Sequence, residues 1–229
     1  MNPLRPGAYG NLSHHSIGHS VCRIRSSGGA GHDWQHRAEM RSSPDRPSSQ
    51  DFFALFSGVI DQNAVQKFFN NFALITQQRA ENKHLHLLVQ SYGGTVSDGV
   101  ALFNLLKSAP LDVSVYNSGN VHSAAVIYFL AGKRRVASRH AIFMLHRPTC
   151  APQLMTTDEM ESVLTSLEFD ERRVDNILRS SLNFSEAQWA DLRNKDFWLT
   201  ADDALKIGMV TEIGEFSPPK GSQVFSFNL

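Results

Sequence analysis

"HLHLLVQSYGGTVSDGVALFNLLKS", residues 84–108, decides the class of fold. Its first seven residues read as a strand rich in apolar side chains, and Gly93 and Gly94 break it. Val96 to Ser108 then has helical texture, and "DVSVY" resumes as a strand. A strand that feeds a helix and returns to a strand is the unit of a parallel sheet covered by helices.

The same unit recurs on either side. Upstream, "FFALFSGVI" reads as a first strand, and Asp61 is placed to cap a helix with Val65, Phe68, Phe69, Phe72 and Ile75 on one face. Downstream, "KRRVA" and "AIFML" are two short strands separated by a polar turn. "TTDE", from Thr156, is a capping box that opens a long helix with an apolar seam of Met160, Val163, Leu164, Leu167, Val174, Ile177 and Leu178. This helix is long enough to project from the globule. "SEAQWADLR" and "TADDALKIG" are shorter capped helices, and "MVTEI" is a last strand. The expected class is α/β.

Residues 1–50 differ in texture: Ser, Gly, Pro, Arg and five histidines dominate, and no apolar period persists. Such a segment buries too little apolar surface to offset chain entropy, so a disordered leader is expected there. It has no apolar core of a secretory signal, and its Arg and Ser content with few acids is weakly like an organelle transit peptide and equally like an upstream extension, the reading that composition favours. His14, His15, His19, His32 and His36 have no spacing that sets a metal geometry. The expected organisation is a leader over 1–50, a domain over 51–216 and a tail over 217–229.

The 22 Lys and Arg residues balance the 22 Asp and Glu. No net field then draws the molecule to nucleic acid or an anionic membrane. Cys22 and Cys150 form no CxxC or Cys/His pattern, so neither a disulfide framework nor a zinc site is expected. The apolar run Ala124 to Gly132 is far short of the ~20 residues that span a bilayer. The expectation is a soluble, cytoplasmic protein, or one of an organelle matrix if residues 1–50 are a transit peptide. No cofactor is expected.

"YNSGNVHSAAVIYFLAG", residues 116–132, holds the candidate nucleophile. Ser123 stands where small residues run into an apolar helical segment, a place that suits either an N-cap or a hydroxyl aimed at a ligand. A serine hydroxyl needs an imidazole to take its proton, and the imidazole needs a carboxylate to hold its tautomer. His146 closes the strand "AIFML" and His122 and His140 are its rivals. Asp196, followed by Phe197 and Trp198, is the candidate acid. The Gly93-Gly94 turn offers backbone N–H groups to a ligand, without the lysine of a phosphate-binding loop.

Taken in order, "SYGG", "GNVHS", "MLHRP" and "DFWLTADDALKIGMV" resemble the motifs of the Clp ATP-dependent protease family of self-compartmentalised serine peptidases, over roughly residues 52–214. The resemblance implies the ββα superhelix of the ClpP/crotonase type, with the long helix as a protruding handle. It implies Ser123 as nucleophile, His146 as general base, Asp196 as orienting acid, and the N–H groups of Gly94 and Ala124 as the oxyanion hole. Gly93 and Gly94 would bind the peptide backbone of an unfolded substrate. It also implies seven-membered homo-oligomeric rings, stacked in pairs as a tetradecamer, fed by an AAA+ unfoldase. Tyr92, His122, Ala125 and Pro152 depart from the family pattern. A non-catalytic ring subunit and a crotonase-type acyl-CoA enzyme are the alternatives.

Overall fold

The computed structural model describes residues 51–77, 84–151 and 153–227. The expected leader and Pro152 lie outside the described residues.

Five strands carry the parallel frame: β1 (Asp51–Ser57), β2 (His84–Ser91), β3 (Asp112–His122), β4 (Arg134–Ala137) and β5 (Ile142–Leu145). β6 (Phe197–Thr200), β7 (Glu212–Ile213) and β8 (Val224–Ser226) complete one eight-stranded sheet, whose main path runs β6-β5-β3-β2-β1-β8. All pairings are parallel except β5 with β6. The strand, helix, strand reading of residues 84–116 is therefore how the chain folds. β2 buries Leu85, Leu87 and Val89 on one face and leaves the alternating residues half-exposed on the other.

Helices cover the buried face. α1 (Gln62–Gln77) starts where Asp61 Oδ1 accepts the Ala64 N–H at 2.8 Å, the cap read from sequence. Val65, Phe68, Phe72 and Ile75 are buried, while Phe69, expected on the same face, lies at its edge and is 37% exposed. α2 (Val96–Lys107) follows the glycine turn, and α3 (Ala124–Phe129), wholly buried, follows Ser123. Gly99 lets α2 approach α3, since a Cβ there would lie 2.8 Å from the Ala124 carbonyl oxygen. Phe56, Phe68, Tyr128 and Phe227 lock the two layers through edge contacts, with Phe68 and Phe227 centroids 4.6 Å apart.

Two features differ from the sequence reading. "DVSVY" is only the first half of β3, which continues through the expected turn to His122 because it changes partners. Ser114 to Asn117 pair with β4, and Asn120 to His122 pair with β5. Buried Asn117 holds the bend by accepting the Gly119 N–H and donating to the Ile142 carbonyl. The segment read as a tail contributes β8, which pairs with β1, and Phe227 is fully buried.

α4 (Thr157–Ser181) begins with the capping box read from sequence, formed by Thr156 and Glu159. Of its apolar seam only Leu178 is buried. Arg173 ties the helix to Ser97 at the start of α2. α5 (Glu186–Asn194) and α6 (Ala201–Lys206) flank β6. Among the described residues, no helix is long and apolar enough to cross a membrane.

Candidate active site

The parallel strands end together, and three of their ends form one site. β2 ends in Ser91, whose buried hydroxyl donates to the Gly58 carbonyl at 2.6 Å and accepts the Gly93 N–H. Gly93 adopts φ 99°, a region open to glycine, and a Cβ there would lie 2.7 Å from the Ser123 Cβ. A Cβ on Gly94 would meet the Ile60 carbonyl oxygen at 2.1 Å. The bridge between Ile60 and Gly94 is made by Ile60 N–H to the Gly93 carbonyl and by Thr95 N–H to the Ile60 carbonyl. Gly94 N–H is not spent in it.

β3 delivers Ser123 in a strained conformation, φ 53° and ψ −127°, and no other non-glycine among the described residues has positive φ. Its N–H donates to the Met144 carbonyl at 2.7 Å, so the strand pair reaches up to the turn. Although Ser123 precedes α3, its hydroxyl makes no capping bond. It lies 2.7 Å from His146 Nε2 instead. That separation fits an Oγ–H donating to an unprotonated imidazole nitrogen. Backbone strain of this kind costs of order 1–3 kcal/mol and persists where the surroundings impose it. Here the close-packed glycine turn and the β5 pairing impose it.

His146 follows β5 directly, and the next residue fixes the loop to α4: Arg147 donates to Glu171 Oε1 at 2.9 Å. The Arg147 guanidinium holds the Glu171 carboxyl below its usual range. Leu145 with Phe197 is the last pair of the antiparallel β5–β6 edge, and His146 and Asp196 are the residues just beyond it on the two strands. Asp196 is exposed, and among the described residues no hydrogen bond joins it to His146. The structure therefore joins Ser123 and His146, and Asp196 makes no hydrogen bond to either.

The rival histidines lie elsewhere. His140 is exposed in the turn before β5. His122 is 4% exposed and packed edge-on between Tyr92 and Trp198, with ring centroids 5.2 and 5.1 Å away. Burial lowers its pKa, and its Nε2 has no hydrogen-bond partner. This explains how a bulky residue fits beside Ser123: it turns into an aromatic stack of its own.

An open groove of roughly 330 Å³ runs past Ser123 and His146 between Gly94–Val96 and Pro148–Thr149, with Leu167 and Asp170 of α4 alongside. Beneath Ser123, Val96, Val126, Ile127, Leu145, Val174 and Leu178 line an apolar pocket. The sequence reading missed this pocket, because its walls come from four separate elements that no local spacing relates. It also missed the strain at Ser123, which has no compositional mark in a non-glycine residue. Among the described residues one group of three has metal-ligating side chains within reach of one another, Asp51, His84 and His86, at the opposite ends of the strands, but the two imidazoles stack nearly parallel at 4.3 Å and their lone pairs do not converge on one ion.

Residues 50–217 match the model of the Clp protease family. The chain is 26% identical over 163 residues to the "ATP-dependent Clp protease proteolytic subunit 2" of Treponema pallidum, covering 70% of this chain and 81% of that one. It is 28% identical over 153 residues to the protein of the same name from Borreliella burgdorferi, covering 66% and 77%. Among solved structures, a ClpP1 mutant from Listeria monocytogenes matches with a TM-score of 0.62 at 24% identity, over 73% of this chain and 92% of that one. That structural match carries the fold, including the expected ββα superhelix.

Proposed function

The chain belongs to the Clp protease family of peptidase subunits, and on that premise we propose that it is a serine endopeptidase acting through an acyl-enzyme on Ser123. The observation that carries this reading is the 2.7 Å contact between Ser123 Oγ and His146 Nε2, made by the one strained non-glycine residue among those described. An ordinary capping serine would have turned its hydroxyl onto the helix.

In the proposed reaction a substrate strand lies along the groove beside Gly94, bonded through its main chain. Ser123 Oγ attacks the carbonyl carbon while His146 Nε2 takes the hydroxyl proton. The oxyanion accepts bonds from the N–H groups of Gly94 and Ala124, as the resemblance to the family implies. His146 returns the proton to the leaving amine, and water, activated by the same nitrogen, releases the acyl group. Asp196 accepts Nδ1–H and stabilises the imidazolium. Because no hydrogen bond yet joins Asp196 to His146, this bond forms on substrate binding or assembly, as catalytic contacts often tighten only in the complex.

We further infer that the subunit works in homo-oligomeric rings, heptamers stacked as a tetradecamer, with an AAA+ unfoldase delivering unfolded protein. The exposed apolar residues of α4 support burial between subunits.

The test is labelling of the assembled protein by a fluorophosphonate together with hydrolysis of a fluorogenic peptide. Wild type should be labelled once, at Ser123; Ser123→Ala should lose both signals, and His146→Ala should lose on the order of 10³-fold or more in kcat/KM. Absence of labelling in an assembled wild type would favour the non-catalytic ring subunit, the reading that the unjoined Asp196 supports.

A further inference from the structure

Between His146 and α4 the chain runs without regular structure. Residues 147–151 lie in no helix or strand, and among the described residues the one hydrogen-bonded or ionic partner they have is Glu171 of α4. Arg147 Nε donates to Glu171 Oε1 at 2.9 Å, and Arg147 Nη2 pairs with Glu171 Oε2. A two-pronged contact of this kind fixes the direction of the guanidinium as well as its distance. The bond to Glu171, with a further pull from Asp175 one turn along the helix, raises the Arg147 pKa.

The other end of the contact is firm. α4 rests on the core through buried Leu178 and the partly buried Val174 and Ile177. Arg173, two residues after Glu171, donates to Ser97 Oγ at 3.0 Å, at the start of α2. One stretch of α4 is thereby tied to both walls of the groove: to the Gly94–Val96 side through Ser97, and to the Pro148–Thr149 side through Arg147.

His146 depends on such support. Its ring makes one hydrogen bond among the described residues, the 2.7 Å contact to Ser123. Asp196 does not hold it, so the backbone on either side has to. Before His146 that backbone is fixed by the pairing of Leu145 with Phe197, and after it by Arg147.

On the reading of His146 as general base, we propose that the Arg147–Glu171 pair positions it: the pair holds the chain that follows the imidazole against α4 and so keeps Nε2 in reach of the Ser123 hydroxyl. Arg147 and Glu171 are positioning residues, acting on the reaction through the ring. Misplacing a reacting group by about 1 Å costs on the order of 10²-fold in rate, and productive geometry persists only where neighbours lock it.

Full-length wild type, Arg147→Ala, Glu171→Ala and the double variant are compared in peptide hydrolysis and in the rate of fluorophosphonate labelling. Each single variant should lose about 10- to 100-fold in kcat with KM held within about twofold. Labelling should slow by the same factor, since it too needs the Ser123 proton removed. The double variant should be no worse than either single one, as expected of a single contact. Both single variants should keep the wild-type midpoint of the acid limb of kcat/KM. Midpoints displaced in opposite directions would show the two charges acting through their field and would overturn the positioning role. Unchanged kcat in both variants of an active enzyme would do the same. Glu168→Ala breaks the exposed pair with Arg172 on the same helix and should keep wild-type kcat; an equal fall there would make the effect one of the helix at large and overturn the role. If an alanine variant fails to fold, Arg147→Gln or Glu171→Gln, of similar size, replaces it with the same expected loss. Crystal structures of wild type and Glu171→Ala read the placement of His146 without activity, so an inert, unlabelled wild type would defeat the peptidase reading and leave this measurement standing. Nε2 should lie within hydrogen-bond reach of Ser123 Oγ in wild type and outside it in the variant. The same contact in both would overturn the positioning role.

Discussion

At Ser123 and its neighbours, small differences in side-chain direction separate chemistry from packing. Ser123 and His122 are adjacent, yet one hydroxyl meets an imidazole while the other imidazole enters an aromatic stack. Only the backbone turn at φ 53° sends them apart, so the sequence motif could propose both as partners and could not choose by geometry. His122 has a measurable consequence. Burial lowers its pKa below the ordinary ~6.5, so the unfolded chain takes up its proton first on acidification. Its contribution to stability is complete above about pH 6.5 and is lost as the pH falls towards the folded value. His122→Phe keeps a ring between Tyr92 and Trp198 and removes both the titration and the unpartnered nitrogen. Melting temperature measured from pH 5 to 8 should then fall less steeply in the variant. Peptide hydrolysis at pH 7.5 should stay within about threefold, whereas His146→Ala collapses it. A steep loss of activity in His122→Phe would reassign the base.

Elements with their own punctuation are legible in the sequence. Asp61, Thr156 and Ser185 each cap the helix that their spacing announces, because caps are local hydrogen bonds between residues three apart. β3 is half-legible, since its second half is a strand only by pairing with β5, and its bend depends on Asn117 reaching Ile142, 25 residues away. The α4 seam is legible as a pattern but not as burial: Met160 and Leu164 are each 58% exposed. An amphipathic helix that buries so little in its own subunit has its apolar stripe available to another. In the proposed ring assembly, Met160→Glu/Leu164→Glu should therefore shift the protein to smaller species by native mass or sedimentation. The cost to the isolated fold should remain within about 1 kcal/mol, as for other exposed substitutions. Assembly unaffected by the two charges would remove α4 from the interface.

Across the whole molecule, the sheet gathers candidate groups that are far apart in sequence: the ends of β2, β3 and β5 supply the glycine turn, Ser123 and His146, while Asp196 precedes β6, the antiparallel partner of β5. The alternation of strand and helix dictates this frame, and the ordered motifs dictate where chemistry sits. The pocket walls and the last strand are hidden in the sequence, because both arise from contacts that only the assembled layers create. The last strand shows the effect most sharply. Val224–Ser226 is short and half-exposed, with little in its composition to distinguish it from a loop. Phe227 anchors it: its N–H donates to the Leu55 carbonyl at 2.8 Å, and its ring fills the space against Phe68 with no exposure. Phe227→Ala should cost about 3–5 kcal/mol, the usual range for emptying a fully buried phenylalanine site. Phe227→Leu, which keeps most of the volume, should cost distinctly less. Urea melts under conditions of reversible unfolding would give the two values. The same loss for both variants would mean that the strand, rather than the ring, closes this edge of the core. A negligible loss for both would return the segment to the tail that its sequence resembles.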